Sequence, residues 1–189
     1  SSITYKDGVI LSKGIVNKDG SKEGYWVIFY KSGKKLGEGL FKNNNKYGKW
    51  IYYYENGLLE SEGFYSLKGE QDSLWREYYS NGSLYEEINY TEGMYNGMYK
   101  VFDDSGRVLV QGSYKHDEEM GKWFYINGSL YESGSYFQGK KVGQWRTYSN
   151  KQLIFKGSFE RGLPVGEHIY WYPSGNLNRI GKYKFGRKS

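Results

Sequence analysis

The chain contains no cysteine. That removes a disulfide framework, a thiolate metal site and a cysteine nucleophile. It also has no alanine, the best helix former, and only two prolines among its 189 residues. Histidine is limited to His116 and His168, so a zinc site would need several carboxylates to complete it. No apolar run approaches the roughly 20 residues of a membrane-spanning helix. What is present is aromatic: 22 Tyr, 9 Phe and 6 Trp, together with 27 Gly. A chain this rich in ring-bearing residues and glycine, and empty of alanine, reads as all-β and soluble.

Charge is uneven along the chain. The net value is +6, yet from Phe137 to Ser189 eleven Lys or Arg face only Glu160 and Glu167. The preceding 136 residues are mildly acidic. An imbalance of this kind bears on partners and association rather than on fold.

Internal repetition organises the rest. Gly24-Tyr25-Trp26, Gly48-Lys49-Trp50, Ser73-Leu74-Trp75, Gly97-Met98-Tyr99, Gly121-Lys122-Trp123, Gly143-Gln144-Trp145 and Gly166-Glu167-His168 open seven units. The anchors Trp26, Trp50, Trp75, Tyr99, Trp123, Trp145 and His168 are spaced by 24, 25, 24, 24, 22 and 23 residues. After a short aromatic run comes a turn pair: Ser32-Gly33, Asn56-Gly57, Asn81-Gly82, Ser105-Gly106, Asn127-Gly128 and Ser174-Gly175. Such pairs are hairpin signals, because both residues tolerate positive φ. Unit six has Asn150-Lys151 instead.

A second strand follows each turn. Leu59, Gly63 and Tyr65 recur as Leu130, Gly134 and Tyr136, as Leu153, Gly157 and Phe159, and as Leu177, Gly181 and Tyr183. Their spacing predicts one shared strand face, with the glycine leaving room for a ring. Ile88 occupies the glycine position of unit three, so packing should differ there. The connections Asn43-Asn44-Asn45-Lys46 and His116-Asp117-Glu118-Glu119 read as polar, exposed linkers. At the start, Asp7-Gly8 fits a turn, Gly14 the second-strand glycine and Ser1 the anchor position. The sequence is therefore expected to begin part-way through an eighth unit, with residues 1–23 forming a partial one.

The run Gly48-Lys49-Trp50-Ile51-Tyr52-Tyr53-Tyr54-Glu55-Asn56-Gly57, followed by Leu59, Gly63 and Tyr65, resembles the repeat of the bacterial MORN-repeat variant family. The likeness covers roughly Gly24 to Lys184 and the partial first unit. It implies an elongated row of β-hairpins used for protein or membrane contacts. Some bacterial members carry an antitoxin label, and others belong to surface-exposed or secreted sets. No active site comes with the resemblance.

The expected fold is all-β: a single repeat domain over residues 1–189, built as an elongated open antiparallel meander of about seven hairpins. One hairpin cannot bury its own aromatic face, whereas stacked hairpins shelter one another. With about 4.8 Å per strand, some 14 strands give a row of about 65 Å. The anchor Trp should carry the core, at about 3–5 kcal/mol for truncation to Ala. His168 at an anchor position suggests a more solvated last unit. The second aromatics Phe29, Tyr53, Tyr78, Phe102, Tyr148 and Trp171 lie an odd step beyond the anchors, so they should face the other way unless a bulge intervenes. Tyr52, Tyr54, Tyr79, Tyr85, Tyr131, Tyr170 and Tyr172 are either wet pleat-covering side chains or a platform for partners.

Catalytic patterns are missing. His116 sits in an acidic linker, no phosphate-binding loop is present, and Asp103-Asp104-Ser105-Gly106 lacks calcium-loop spacing. The expectation is no enzyme, no cofactor and no metal. Lys140, Lys141, Arg146, Lys156, Arg161, Arg179, Lys182 and Lys184 form the candidate partner-binding set. They serve either solubility or contact with an acidic protein or an anionic membrane or envelope surface; nucleic acid fits poorly. The leading reading is a non-catalytic interaction scaffold outside a bacterial cell, in its envelope or secreted, although a cytoplasmic protein could share these features. Alternatives are an immunity protein against a toxin and a glycan- or choline-binding module, since the aromatic hairpins are similar to choline- and glucan-binding repeats.

Overall fold

The computed structural model describes residues 2–6 and 8–188. The anchor position given to Ser1 and the Asp7 part of the first turn lie outside them. Among the described residues there is no helix, hence none long and apolar enough to cross a membrane. The chain divides into an N-terminal half, residues up to 94 with 103–106, and a C-terminal half, 95–102 with 107 onward. The N-terminal half contains β1 (Ser2–Lys6), β2 (Val9–Val16), β3 (Lys22–Phe29), β4 (Lys35–Lys42), β5 (Asn45–Tyr53), β6 (Leu59–Tyr65), β7 (Gln71–Tyr78) and β8 (Leu84–Thr91). The C-terminal half is built on β9 (Met94–Phe102), β10 (Val108–Lys115), β11 (Glu118–Asn127), β12 (Leu130–Phe137), β13 (Lys140–Ser149), β14 (Gln152–Glu160), β15 (Leu163–Trp171), β16 (Leu177–Lys184) and β17 (Arg187–Lys188). Each half is an open antiparallel meander in which strands pair with their sequence neighbours. The hairpins β3–β4 through β15–β16 are the seven repeats.

The turns exchange the roles that their sequences suggest. At Asn56-Gly57, Gly57 N–H donates to Tyr54 O at 2.8 Å and Tyr54 N–H to Leu58 O at 2.8 Å. Only the glycine has positive φ, 87°. This is a four-residue turn closed by a left-handed glycine, not a two-residue Asn-Gly turn. Gly33 and Gly82 repeat it. Two-residue turns with positive φ at both positions fall between repeats, at Asn43-Asn44 (49°, 69°), His116-Asp117 (51°, 65°) and Arg161-Gly162 (51°, 82°), and within the sixth hairpin at Asn150-Lys151 (48°, 68°). What read as loose polar linkers are thus tight reversals. Asn and Asp tolerate the left-handed region because their short polar side chains can bond locally. At Asp117 the side chain also ties the turn to β9, Tyr95 N–H donating to its Oδ1 at 2.7 Å.

One contact recurs through both halves. Except in the third hairpin, where Trp75 faces Ile88 and Tyr99 therefore has no glycine to lie on, each anchor is paired in register with the glycine of its own hairpin, as Trp50 with Gly63 and Trp145 with Gly157. Its ring, however, lies flat on the glycine of the preceding hairpin. A Cβ added to Gly39 would fall 2.5 Å from the Trp50 ring, to Gly63 2.2 Å from Trp75, to Gly112 2.0 Å from Trp123 and to Gly134 2.1 Å from Trp145. Each of these glycines sits at a register shift between repeats. Where the ladder is interrupted, the indole takes the next carbonyl: Trp50 Nε1–H to Leu40 O at 2.9 Å, Trp75 to Phe64 O at 2.9 Å, Trp145 to Ser135 O at 3.2 Å. Trp123 keeps the ring position, but its Nε1 has no hydrogen-bond partner among the described residues.

His168 is no solvated cap. It is 2% exposed, against 0–4% for Trp26, Trp50, Trp75, Trp123 and Trp145. Its ring lies over Gly157, touches Phe155, Phe159 and Tyr183, and its Nε2 reaches Ser158 O at 2.8 Å. An imidazole N–H reproduces the indole's bond to the carbonyl, so the proton sits on Nε2. Tyr99 is only half-buried.

Anchors and their neighbours define one face of each half. Trp26, Phe41, Trp50, Tyr65 and Trp75 meet edge to face at centroid distances of 5.8, 5.1, 6.3 and 5.0 Å. Tyr114, Trp123, Tyr136 and Trp145 repeat the series at 5.1, 6.0 and 5.0 Å, the geometry that ring quadrupoles favour. Leu59 leaves this face: a shift between Tyr52 and Tyr53 sets it opposite Tyr53, away from Gly63 and Tyr65. Leu153 and Leu177 move likewise, opposite Tyr148 and Trp171.

The residue two before each anchor lies in the left-handed region, with φ of 64° at Gly48, 70° at Gly121 and 63° at Gly143. Ser73 adopts φ 60° at the same place and carries the Cβ penalty of that region. Ser73→Gly should therefore raise stability by about 1 kcal/mol, read as a higher urea midpoint at unchanged slope. An unchanged or lower midpoint would show that the serine is unstrained.

Candidate interaction face

The opposite face of the strands is where the two halves differ. In the three full repeats of the N-terminal half, the residue before the second-strand glycine or its substitute is acidic: Glu38, Glu62 and Glu87. Each carboxylate is held. Lys35 Nζ lies 2.8 Å from Glu38, which also accepts hydrogen bonds from Tyr53 OH at 2.7 Å and from Tyr25 OH. Lys49 Nζ lies 2.8 Å from Glu62, to which Tyr78 OH donates at 3.2 Å. Arg76 stands opposite both Glu62 and Glu87 and bonds the latter at 3.0 Å.

The titration of this row follows from its contacts. Burial works to raise the Glu38 pKa, but the bonds from Lys35, Tyr25 and Tyr53 outweigh it and hold the carboxyl below its ordinary value. Burial and the adjacent Glu38 push Tyr25 and Tyr53 up to about 12.

In the C-terminal half the same row reads Gln111, Ser133, Lys156 and Ile180. The carboxylates are gone while their partners persist. Arg146 stands opposite Ser133 and Lys156, as Arg76 stands opposite Glu62 and Glu87. Tyr148 follows Arg146 by two residues, as Tyr78 follows Arg76. Among the described residues Lys122, Arg146 and Lys156 make no ion pair; Arg146 donates to Gln144 Oε1. Beside them runs an aromatic strip, with Phe124 and Tyr131 stacked at 5.9 Å and Tyr131 to Tyr148 at 6.0 Å.

Two depressions open on this face. One of about 440 Å³ is lined by Gln111, Lys122, Phe124, Ser133, Gln144 and Arg146. The other, about 590 Å³, is lined by Ile126, Leu130, Tyr148 and Lys151 among others. Tyr131, Ser133 and Arg146 belong to both, so the two form one groove.

The eight basic residues singled out from the sequence do not form one patch. Arg146 and Lys156 lie on the groove face. Lys182 does too, 3.4 Å from Glu167. Lys141 turns to the anchor face, 3.8 Å over the Trp145 ring and 2.7 Å from Glu132. Arg179 also turns there, 4.1 Å over Tyr170. Arg161 lies in a turn, Lys140 opens β13 and Lys184 closes β16. Alternation across a pleat separates neighbours that composition groups together. The tyrosines divide in the same way: Tyr52 stacks on Trp50 at 5.7 Å while Tyr131 faces the groove. Lys122, Phe124, Gln111 and Ser133 went unseen in the sequence. The legible signal was the position before each second-strand glycine or its substitute, which runs Glu, Glu, Glu, Gln, Ser, Lys, Ile over the seven repeats.

Among the described residues no cluster of His, Asp or Glu could hold a metal ion. The carboxylate row makes a pH prediction. Because the folded pKa of Glu38 is depressed, its stabilisation is present above the ordinary value near 4.3 and is lost as pH falls through the folded value. Glu38→Gln should lower stability at pH 7 by about 1–2 kcal/mol, and the difference should close below about pH 4. A pH-independent difference in thermal midpoint would refute this.

Comparison with known proteins places these features. The sequence profile described as MORN repeat variant matches residues 22–43, 46–66, 71–92, 95–116 and 164–185, more than half of the chain. A search of curated proteins gives no match. The matched segments enclose hairpins β3–β4, β5–β6, β7–β8, β9–β10 and β15–β16. The two hairpins between them carry the shortened turns, Gly128-Ser129 and Asn150-Lys151. Repeats of this family are non-enzymatic and generally associated with protein- or membrane-interaction scaffolds. On this evidence, together with the hairpin meander and its glycine-seated rings, the chain belongs to the MORN repeat variant family.

Proposed function

We propose that this protein is a non-catalytic scaffold that binds a protein partner through the groove face of its C-terminal half. The observation that carries the reading is the loss of carboxylates along one repeated row. Glu62 and Glu87 neutralise Arg76 in one half, whereas Ser133 and Lys156 leave Arg146 uncompensated in the other. Aromatic rings beside unpaired cations are the composition of interface centres, where Tyr and Arg dominate. Depletion of acid on one face also speeds encounter with an acidic partner.

An extracytoplasmic setting belongs to the same proposal, on the resemblance to family members of surface-exposed or secreted sets. An immunity role would be one form of it, with the toxin as the acidic partner.

The test places a photo-crosslinking amino acid at Tyr131 on the groove face, or at Tyr25 on the same face of the N-terminal half, in the cells that produce the protein. A discrete crosslinked protein from Tyr131 and none from Tyr25 is the expected outcome. Crosslinks to lipid alone, or equal yields at both positions, would contradict the reading.

A further inference from the structure

The repeat provides its own comparison for the groove, because the third and sixth hairpins hold the same pair of side chains in different company. In the third, Arg76 lies between Glu62 and Glu87 in the pairing register. Its Nε bonds Glu87 at 3.0 Å, and Tyr78 OH donates to Glu62 at 3.2 Å. In the sixth, Arg146 lies between Ser133 and Lys156, and Tyr148 occupies the place of Tyr78. Donors that meet two carboxylates in one hairpin meet none in the other, where Arg146 gives one N–H to Gln144 Oε1. A guanidinium and a phenol hydroxyl offer donors in a geometry suited to a carboxylate.

From this, and resting on the interaction-face reading above, we infer that the groove receives an extended acidic peptide segment of a protein partner, whose carboxylate takes over Ser133 the place that Glu62 holds before Arg76. Charge complementarity supports the occupant: Lys122, Arg146 and Lys156 surround the position, and among the described residues none is ion-paired. Spacing supports an extended peptide. Ser133 and Tyr131, two residues apart on one strand face, line the groove throughout both depressions. Side chains at alternate positions of an extended segment have this same step, about 6.6 Å. A carboxylate at one position thus reaches Arg146, and an apolar side chain two residues away enters the depression formed by Ile126, Leu130 and Tyr148.

The probe is a fluorescent nonapeptide with Leu and Glu at alternate positions, titrated by anisotropy at low salt into the full chain. Binding should weaken about tenfold or more when the probe's Glu are replaced by Gln, and equally with Arg146→Gln protein. Ser133→Glu supplies the carboxylate from within, as Glu62 does naturally. It should abolish peptide binding without lowering the thermal midpoint, while Lys42→Gln should leave binding unchanged. Equal affinity for the Gln peptide, indifference to Arg146→Gln, or undiminished binding by the Ser133→Glu protein would each overturn the inference. So would binding of anionic phosphatidylglycerol vesicles or of an oligoglucuronate with no binding of the peptide. If Tyr131 crosslinks a protein yet the peptide shows no carboxylate dependence, the carboxylate site fails and the interaction face stands. If the peptide behaves as expected and no protein crosslinks, the reverse holds.

Discussion

A tryptophan ring can lie flat against a β-strand only where the strand has no Cβ, and the rest of the structure depends on that constraint. Gly39, Gly63, Gly112 and Gly134 each provide such a floor, and the ring resting on each belongs to the hairpin that follows. Adjacent hairpins are thereby locked together by more than their ladder. The register shift at each glycine frees a carbonyl, and the indole nitrogen occupies it in Trp50, Trp75 and Trp145. A buried polar nitrogen would otherwise cost free energy. Burial, hydrogen bonding and backbone geometry are satisfied by one residue pair per repeat.

Because the core is confined to the anchor face, the opposite face is free to vary. It holds matched ions in the N-terminal half, where Lys35, Lys49 and Arg76 face Glu38, Glu62 and Glu87. In the C-terminal half the same positions hold Gln111, Ser133 and Lys156 without disturbing the glycine seats beneath Trp123, Trp145 and His168. Nearest-neighbour stability allows this, since each repeat needs only its neighbours. A binding surface can be written on one face of such a meander while the other maintains the fold.

Much of this was legible in the chain itself. The Gly-x-Trp spacing marks Trp26, Trp50, Trp75, Trp123 and Trp145, all buried, as well as the half-buried Tyr99, and alternation placed Tyr53 and Tyr78 away from Trp50 and Trp75. Three things were not legible. Leu59, Leu153 and Leu177 changed face because bulges add a residue that no alternation count includes, whereas Leu130, on an unshifted ladder, kept the face of Gly134. The turn types exchanged places because Asn-Gly and Asn-Asn have similar local preferences, and strand register decides between them. His168 looked like a substitution toward solvent. A ring with one N–H nonetheless meets the same two demands as the indole it replaces, a flat contact and a donor. The groove escaped notice because its residues come from four strands, and charge counted along the chain merges opposite faces of the pleat.

The seat of one ring on the preceding glycine is best tested by a double-mutant cycle on Gly134 and Trp145. Alanine normally favours a strand position over glycine, so its cost here must come from the ring 2.1 Å from the would-be Cβ. Gly134→Ala should cost about 1–3 kcal/mol with Trp145 present and become neutral or stabilising in the Trp145→Ala background. An equal cost in both backgrounds would mean that the glycine serves the backbone alone and that the rings do not join the repeats.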